Sequence, residues 1–431
     1  MKPSYIYNLD DRLPLRHALL YGLQWAFIMF PALIIAATLV ADSFPQEQID
    51  KIRFLQFTLL TSGAFTALQT LQGHRFPLLE GPATALMLAF VLLAPLGLEA
   101  IQGGMIIGGG LLILTVLSRQ LDRVSRLFTP NVIGVILMLI ALGLLRPLLG
   151  FMTGAGPGHP QGEGWILLIS ITLVLFMATL SHRLEGFWKT ISLLIGMGVG
   201  SLLFFFLGLL EWQKVAAAPW LSLSARWVPS VPEIQWTAAV AFACAYLAVM
   251  VNTLGSLQGI AVITDRERLA RAVPRGMLVT GAAGMVCGLL GVVGTVSYSM
   301  SPGVILANRM ASRYAVTCCG MILALAAFLP KLAAFISLVP GPVVGAALCV
   351  GLGGQVGVGL SAVATQPITS RDYFVVGLPV IIGTMAGFLP QSLFDALPGP
   401  VQIFVANSLI TGIVLVLVLE HLLLRKKSTS P

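Results

Sequence analysis

Stretches of about 20 predominantly apolar residues, enough to cross roughly 30 Å of hydrocarbon, recur along the whole chain with only short polar breaks between them. They begin near His17, Ile52, Pro77, Ile101, Leu127, Trp165, Phe187, Ile234, Met277, Ser301, Tyr314, Gly341, Tyr373 and Val401, fourteen in all when the short ones at Pro77 and Ser301 are counted. This pattern predicts an all-α polytopic membrane protein. The first run, from Leu19 to Val40, exceeds the ~7–15-residue core of a secretory signal and no small-residue cleavage site closes it, so it reads as a retained span.

An even number of spans puts both termini on one side. With the N-terminus inside, Lys51, Arg53, Arg146, Lys214, Arg226 and Lys331 fall outside, and the other 19 of the 25 lysines and arginines fall on the cytoplasmic side. That bias predicts cytoplasmic termini. Composition agrees: 57% of the 431 residues are hydrophobic and 10% charged, with a mean hydropathy of +0.93, which leaves little for a soluble domain. The formal charge of +8 therefore reports sidedness rather than a nucleic-acid partner; lipid is the surrounding medium. The five cysteines lie in apolar segments without metal-ligand spacing and read as core residues, so no metal and no cofactor is expected.

The two halves resemble each other. Gly81-Pro82 precedes one short apolar run, and Pro302-Gly303 precedes another about 221 positions later. LFTPNVIGVILM (127–138) and SLVPGPVVGAAL (337–348) share a proline start and a small-residue face at an offset of about 210. A seven-plus-seven inverted repeat follows: a cytoplasmic segment 1–16, a first repeat 17–210, an external linker 211–235, a second repeat 236–424 and a basic tail 425–431. The third and tenth spans would then be discontinuous half-helices. Their N-terminal backbone donors, costly in lipid when unpaired, suit an acceptor-rich small solute. A simple kink is the alternative, and the matched partner favours the site.

Most of the 17 acidic residues lie in loops or at span ends. Glu80 does not: a carboxylate at that depth costs at least ~2–3 kcal/mol and is normally functional. It either meets solute and a coupling proton or caps the half-helix that follows, and the two roles are compatible. In AVMVNTLGSLQG, Asn252 and Ser256 are four apart on one helix face beside Gly255, suited to a cavity or to helix–helix contact. Gln24 is a weaker candidate, and Arg309 either gates or anchors the end of the second half-helix.

The arrangement resembles the nucleobase/ascorbate transporters, also called nucleobase–cation symporter family 2, which include uracil and xanthine permeases. The likeness spans essentially the whole chain and is best from about Ala241 to Gly359. The family's tenth-span signature reads here Met300, Ser301, Pro302, Gly303, then Asn308 and Arg309: the glycine and arginine match, whereas the first two positions and the threonine do not. The family's Gln-His in the first span is Gln24-Trp25, and its base-binding glutamate of the eighth span aligns with Asn252. GHRFPLLEGPATALM (73–87) resembles a purine permease branch with Glu-Gly-Pro after Gly-His-Arg.

The resemblance implies a fourteen-span core-and-gate fold, frequently a homodimer, in a bacterial-type inner (plasma) membrane. It implies import of a purine such as xanthine, or of uracil, by proton or sodium symport. Both acidic base-binding positions are neutral here. Asn252, Ser256, Ser301, Met300, Gln24 and the backbone at Gly81 and Gly303 would have to pair a flat base without charge, and Glu80 would supply the titrating group. Two other transport readings stay open, an anion carrier of the related sulfate-transporter fold and an uncoupled facilitator. An intramembrane enzyme is disfavoured, because the sequence has no HExxH and no paired aspartates in a span.

Overall fold

The computed structural model describes residues 5–44, 49–155, 161–210, 212–222, 227–389, 393 and 408–425. The expected span start at Val401, position 211 and the tail from 426 onward lie outside these. The first half runs α1 (Leu15–Ala41), α2 (Lys51–Leu71), a short strand β1 (Glu80–Pro82) leading into half-helix α3 (Thr84–Leu93), then α4 (Leu98–Leu117). After α5 (Leu121–Ser125) come α6 (Pro130–Gly143), its continuation α7 (Leu145–Thr153), α8 (Gly164–Arg183), α9 (Gly186–Thr190) and α10 (Ser192–Phe206). The linker α11 (Trp212–Ala217) leads to α12 (Trp236–Ile263), α13 (Leu269–Leu290), strand β2 (Thr295–Ser297) and half-helix α14 (Ser301–Asn308). Next is α15 (Arg313–Ala326), which bends by 95° into α16 (Pro330–Ser337). The chain closes with α17 (Gly341–Val363), α18 (Ser370–Ala386) and α19 (Ser408–Val418).

Helix ends follow local chemistry. Asp50 caps α2 by accepting from the Arg53 N–H at 2.8 Å, Thr129 caps α6 with Pro130 at its first position, and Thr369 with Asp372 forms a capping box on α18. Gly291, at φ 70°, ends α13 in the left-handed conformation that glycine adopts without strain. The main departure from the periodicity is α13, which starts at Leu269 rather than near Met277: Arg271 and Arg275 end the apolar run but not the helix.

Two groups of helices emerge. α1 to α4 and α12 to α15 pack together, and α6 to α10 pack with α17, α18 and α19. This is the core-and-gate division. Within the first group α2 crosses α15 where Gly63 meets Gly320, and α4 crosses α13 where Gly109 meets Gly281; a Cβ added at Gly63 would lie 2.4 Å from the Ala324 nitrogen. The α2–α15 and α4–α13 crossings are built alike, each with a glycine of one helix against a glycine of the other. α6 and α17 likewise meet at Gly134 and Gly359.

α8 buries only 17% of its apolar window and presents Leu168, Ile171 and Leu175 outward, as lipid contact requires. Chain segment 5–13 lies across one end of the first group. The Ile6 N–H donates to the Arg309 carbonyl, the Ala311 N–H to Tyr7 and the Arg313 N–H to Leu9. Asp10 bridges Arg268 at 2.5 Å and Arg313 at 2.7 Å. The Arg268 guanidinium, and more weakly Arg313, hold the Asp10 carboxyl below the usual carboxylate range against its partial burial.

Candidate functional site

The breaks at the third and tenth spans are more ordered than a run of glycine and proline suggests. β1 and β2 pair antiparallel, Glu80 opposite Ser297, Gly81 opposite Val296 and Pro82 opposite Thr295. Backbone groups that a broken helix would leave unpaired in the membrane are thereby satisfied by the other half of the chain. The Ala83 N–H donates to the Gly294 carbonyl and the Tyr298 N–H to Leu79. The two matched dipeptides are not structural equivalents: Gly81-Pro82 lies in β1, whereas Pro302-Gly303 are the second and third residues of α14, positions held in α3 by Ala85 and Leu86.

A cavity of about 600 Å³ lies between the two helix groups, in the ~300–1,000 Å³ range of small-molecule sites. Its wall comes from α1 (Ile28, Pro31, Ile35), the head of α3 (Ala83, Thr84, Ala85), α12 (Asn252, Gly255, Ser256), the segment after β2 (Tyr298, Ser299, Met300), and α6 and α17 opposite (Ile133, Leu137, Leu352, Gln355). Among the described residues no charged side chain lines it. Asn252 is half-buried, and its amide has no hydrogen-bond partner among the described residues. The first turn of α3, whose leading N–H groups have no intrahelical acceptor, contributes further donors and the positive end of a helix dipole.

Of the residues singled out in the sequence, Asn252, Ser256 and Met300 line this cavity. Ser256 Oγ also donates to the Ser297 carbonyl at 2.8 Å, tying α12 to β2. Glu80, Gly81, Ser301, Gly303 and Gln24 are not in its wall. Ser301 is fully buried and accepts from the Leu79 N–H, joining α14 to the residue before β1. Gly81 sits against Met29 and the Tyr298 hydroxyl, where any Cβ would collide. Gly303 is exposed, with open space around it. Gln24 is half-buried on α1, and Trp25 beside it is fully buried. Asn308 and Arg309 end α14, with Arg309 at φ 51° tied through its carbonyl to the N-terminal segment. The fixed φ of Pro302 suits the start of α14 and Gly81 suits a crowded strand crossing, which is why the chain breaks there.

Glu80 stands immediately behind the wall, fully buried. It does not cap α3, whose N-cap is Ala83 without a side-chain bond. Its Oε1 accepts from Ser297 Oγ and, at 3.4 Å, from His74 Nε2; its backbone N–H donates to Thr66 Oγ1 at 3.0 Å. His74, also buried, accepts the Phe76 N–H on Nδ1 at 3.0 Å, which leaves the proton on Nε2 and makes it the donor to Glu80. A histidine in a polar break between spans reads as solvated; the signal for His74 is its place six residues before Glu80.

A second buried polar cluster, also unforeseen, lies in the other helix group. Asp372 and Glu420 share the Arg371 guanidinium at 3.0 Å each, and Asn131 Nδ2 donates to Asp372 at 2.8 Å and to Glu420 at 3.2 Å. It fastens the start of α6 and α18 to the chain just past α19, where both carboxylates had read as solvated span ends.

A profile of the permease family, that of xanthine and uracil permeases, matches residues 16–392. The uric acid permease PucJ of Bacillus subtilis is 26% identical over 406 residues, 91% of this chain and 89% of its own. The xanthine permease XanP of Escherichia coli is 24% identical over 406 residues, 88% of this chain and 86% of its own. Among solved structures, the murine Solute Carrier 26 family member A9 anion transporter in the inward-facing state superposes with a TM-score of 0.64 at 12% identity, over 96% of this chain and 69% of that one. At that identity the likeness is one of fold.

Proposed function

The chain belongs to the permease family that includes xanthine and uracil permeases, and on that premise we propose that it imports a purine base across a bacterial inner membrane by proton symport with alternating access. The family makes it a multi-pass membrane transporter of nucleobase type and not an enzyme. Xanthine and uric acid, the cargoes named for its relatives, are the first candidates.

The observation that carries the reading is the chemistry of the cavity wall: an unpartnered amide at Asn252, hydroxyls at Ser256, Thr84 and Ser299, and the N-terminal turn of α3, with no charge. A flat base offers alternating donors and acceptors in one plane, and an amide is the side chain that answers both kinds. Apolar faces from α1, α6 and α17 suit its ring. The cavity lies between the two helix groups, so a rocking motion of one against the other would open it to alternate sides. Glu80, one strand residue behind the wall, is the coupling candidate.

The test is uptake of labelled xanthine, uric acid, hypoxanthine, guanine, adenine and uracil into proteoliposomes, with and without an inward proton gradient. Gradient-driven accumulation of one base, reduced at least tenfold in Glu80→Gln, is the expected result. Uptake of the same base by Glu80→Gln at the wild-type rate and independent of pH removes the coupling role. No base uptake by folded protein removes the cargo, and anions are then tested.

A further inference from the structure

The two oxygens of Glu80 are treated very differently. Oε1 accepts two hydrogen bonds, from Ser297 Oγ and His74 Nε2. Oε2 is buried and has no hydrogen-bond partner among the described residues. We propose that Oε2 of Glu80 is the atom that takes up and releases the coupling proton, and that His74 is the positioning residue that keeps Oε2 free for it. This deepens the symport reading above and rests on it for the transport step.

A carboxylic acid has one oxygen that only accepts and one that carries the proton. The donors around Glu80 are distributed for that form: Oε1 serves as the carbonyl, and a proton can join Oε2 without breaking either bond. As a bare carboxylate the same group leaves a buried oxygen unsatisfied, a costly state at membrane depth. The step is an O–H bond formed on Oε2 with a proton from water on one side and broken to water on the other, with no change of oxidation state.

His74 is held to this task. The Phe76 N–H occupies Nδ1, and the His74 N–H donates to Gln69 Oε1 at 3.3 Å; Gln69 in turn donates to the Gly276 carbonyl and to Thr280. The imidazole therefore presents Nε2–H and no acceptor to Glu80. Around the paired strands α1 brings Met29 and α2 brings Thr66, neither of which titrates. The titratable neighbours are Tyr298 just after β2, whose hydroxyl donates to the Pro82 carbonyl, Tyr246 on α12 and Cys287 on α13. In the loop before β1 Arg75 accepts the Arg268 guanidinium on its carbonyl, and Arg268 is paired with Asp10. Among the described residues no lysine or arginine forms an ion pair with Glu80.

The proton site also has a connection to the cavity. Ser297, which donates to Oε1, accepts Ser256 Oγ on its carbonyl, and Ser256 lines the cavity one helical turn from Asn252. A base that engages Ser256 is two hydrogen bonds away from the acid.

Infrared difference spectra of the purified full-length protein in lipid, titrated with pH, test the assignment apart from transport. Wild type should show a protonated carboxylic C=O band as pH falls, and Glu80→Gln should lack it. His74→Leu should move the band to higher wavenumber, because Oε1 loses a donor, and should shift the midpoint of the uptake pH profile by about one unit. His74→Gln, which still donates, should keep both near wild type. Ser297→Ala removes the other donor and should raise the band even if His74→Leu does not fold. A band that survives Glu80→Gln, or one unmoved by both donor deletions, overturns the proposal. A correct band in a protein that moves no base leaves the proton site standing and removes the cargo; gradient-driven uptake without the band removes the proton site and keeps the cargo.

Discussion

A single amide decides how a neutral cavity recognises a base. Asn252 is half-buried on α12, lines the cavity and has no protein partner among the described residues, so its donors and acceptor are available to solute. Asn252→Ala should raise the KM for uptake about tenfold, the ~1.4 kcal/mol worth of one hydrogen bond, with the folded protein unchanged in thermal stability. An unchanged KM places recognition elsewhere in the wall. At this scale the sequence was informative where a polar residue stood alone in an apolar run: Asn252, Ser256 and Glu80 were all visible that way. It was uninformative where a residue sits in a polar break and folds inward. His74 and Asp372 share their local composition with solvated loop residues, and Glu420 stands close to the basic C-terminal run; only the packing of distant segments buries them.

Among elements, the half-helices were legible because proline and glycine punctuate them, but the strands that precede them were not. EGP and TVS are three residues each, too short to show alternation, and their partner is more than 200 positions away. The helix crossings carry a sharper test. Gly63 on α2 abuts Gly320 and Ala324 of α15 so closely that Gly63→Ala must push the two helices apart, whereas Gly110 on α4 faces open space. Gly63→Ala should lower stability by roughly 1–3 kcal/mol, read as a lower unfolding temperature of the purified protein, and Gly110→Ala should leave it unchanged. Equal effects from the two would mean that α2 and α15 are not in this register. Because Gly281 on α13 abuts Gly109 and Ile113 of α4 just as closely, Gly281→Ala should resemble Gly63→Ala.

For the whole molecule, the distribution of charge and the packing of its two ends bear independently on sidedness. Asp10, the loop at Arg75, Arg268 and Arg313 are joined by hydrogen bonds at one end of the molecule. Gln56, near the start of α2, bonds the Ser222 and Ala327 carbonyls at the other end. Arg12, beside the first cluster, and Arg53, one turn from Gln56, thus occupy opposite ends of the core, as the division of positive residues requires. We propose that the first cluster marks the cytoplasmic end, because lysine and arginine are in excess around it. In a variant without the five native cysteines, Arg53→Cys should react with a membrane-impermeant maleimide on intact cells, and Arg12→Cys only after permeabilisation. The reverse pattern would invert the protein and with it the predicted direction of import, yet leave the cavity and the Glu80 site as they are. Labelling of both from outside would break the pairing of ends itself. The orientation also bears on the proton: His74 and Arg75 lie in the loop at the Asp10 end, so the predicted labelling would put the Glu80 site nearer to cytoplasmic water, where a coupling proton is released.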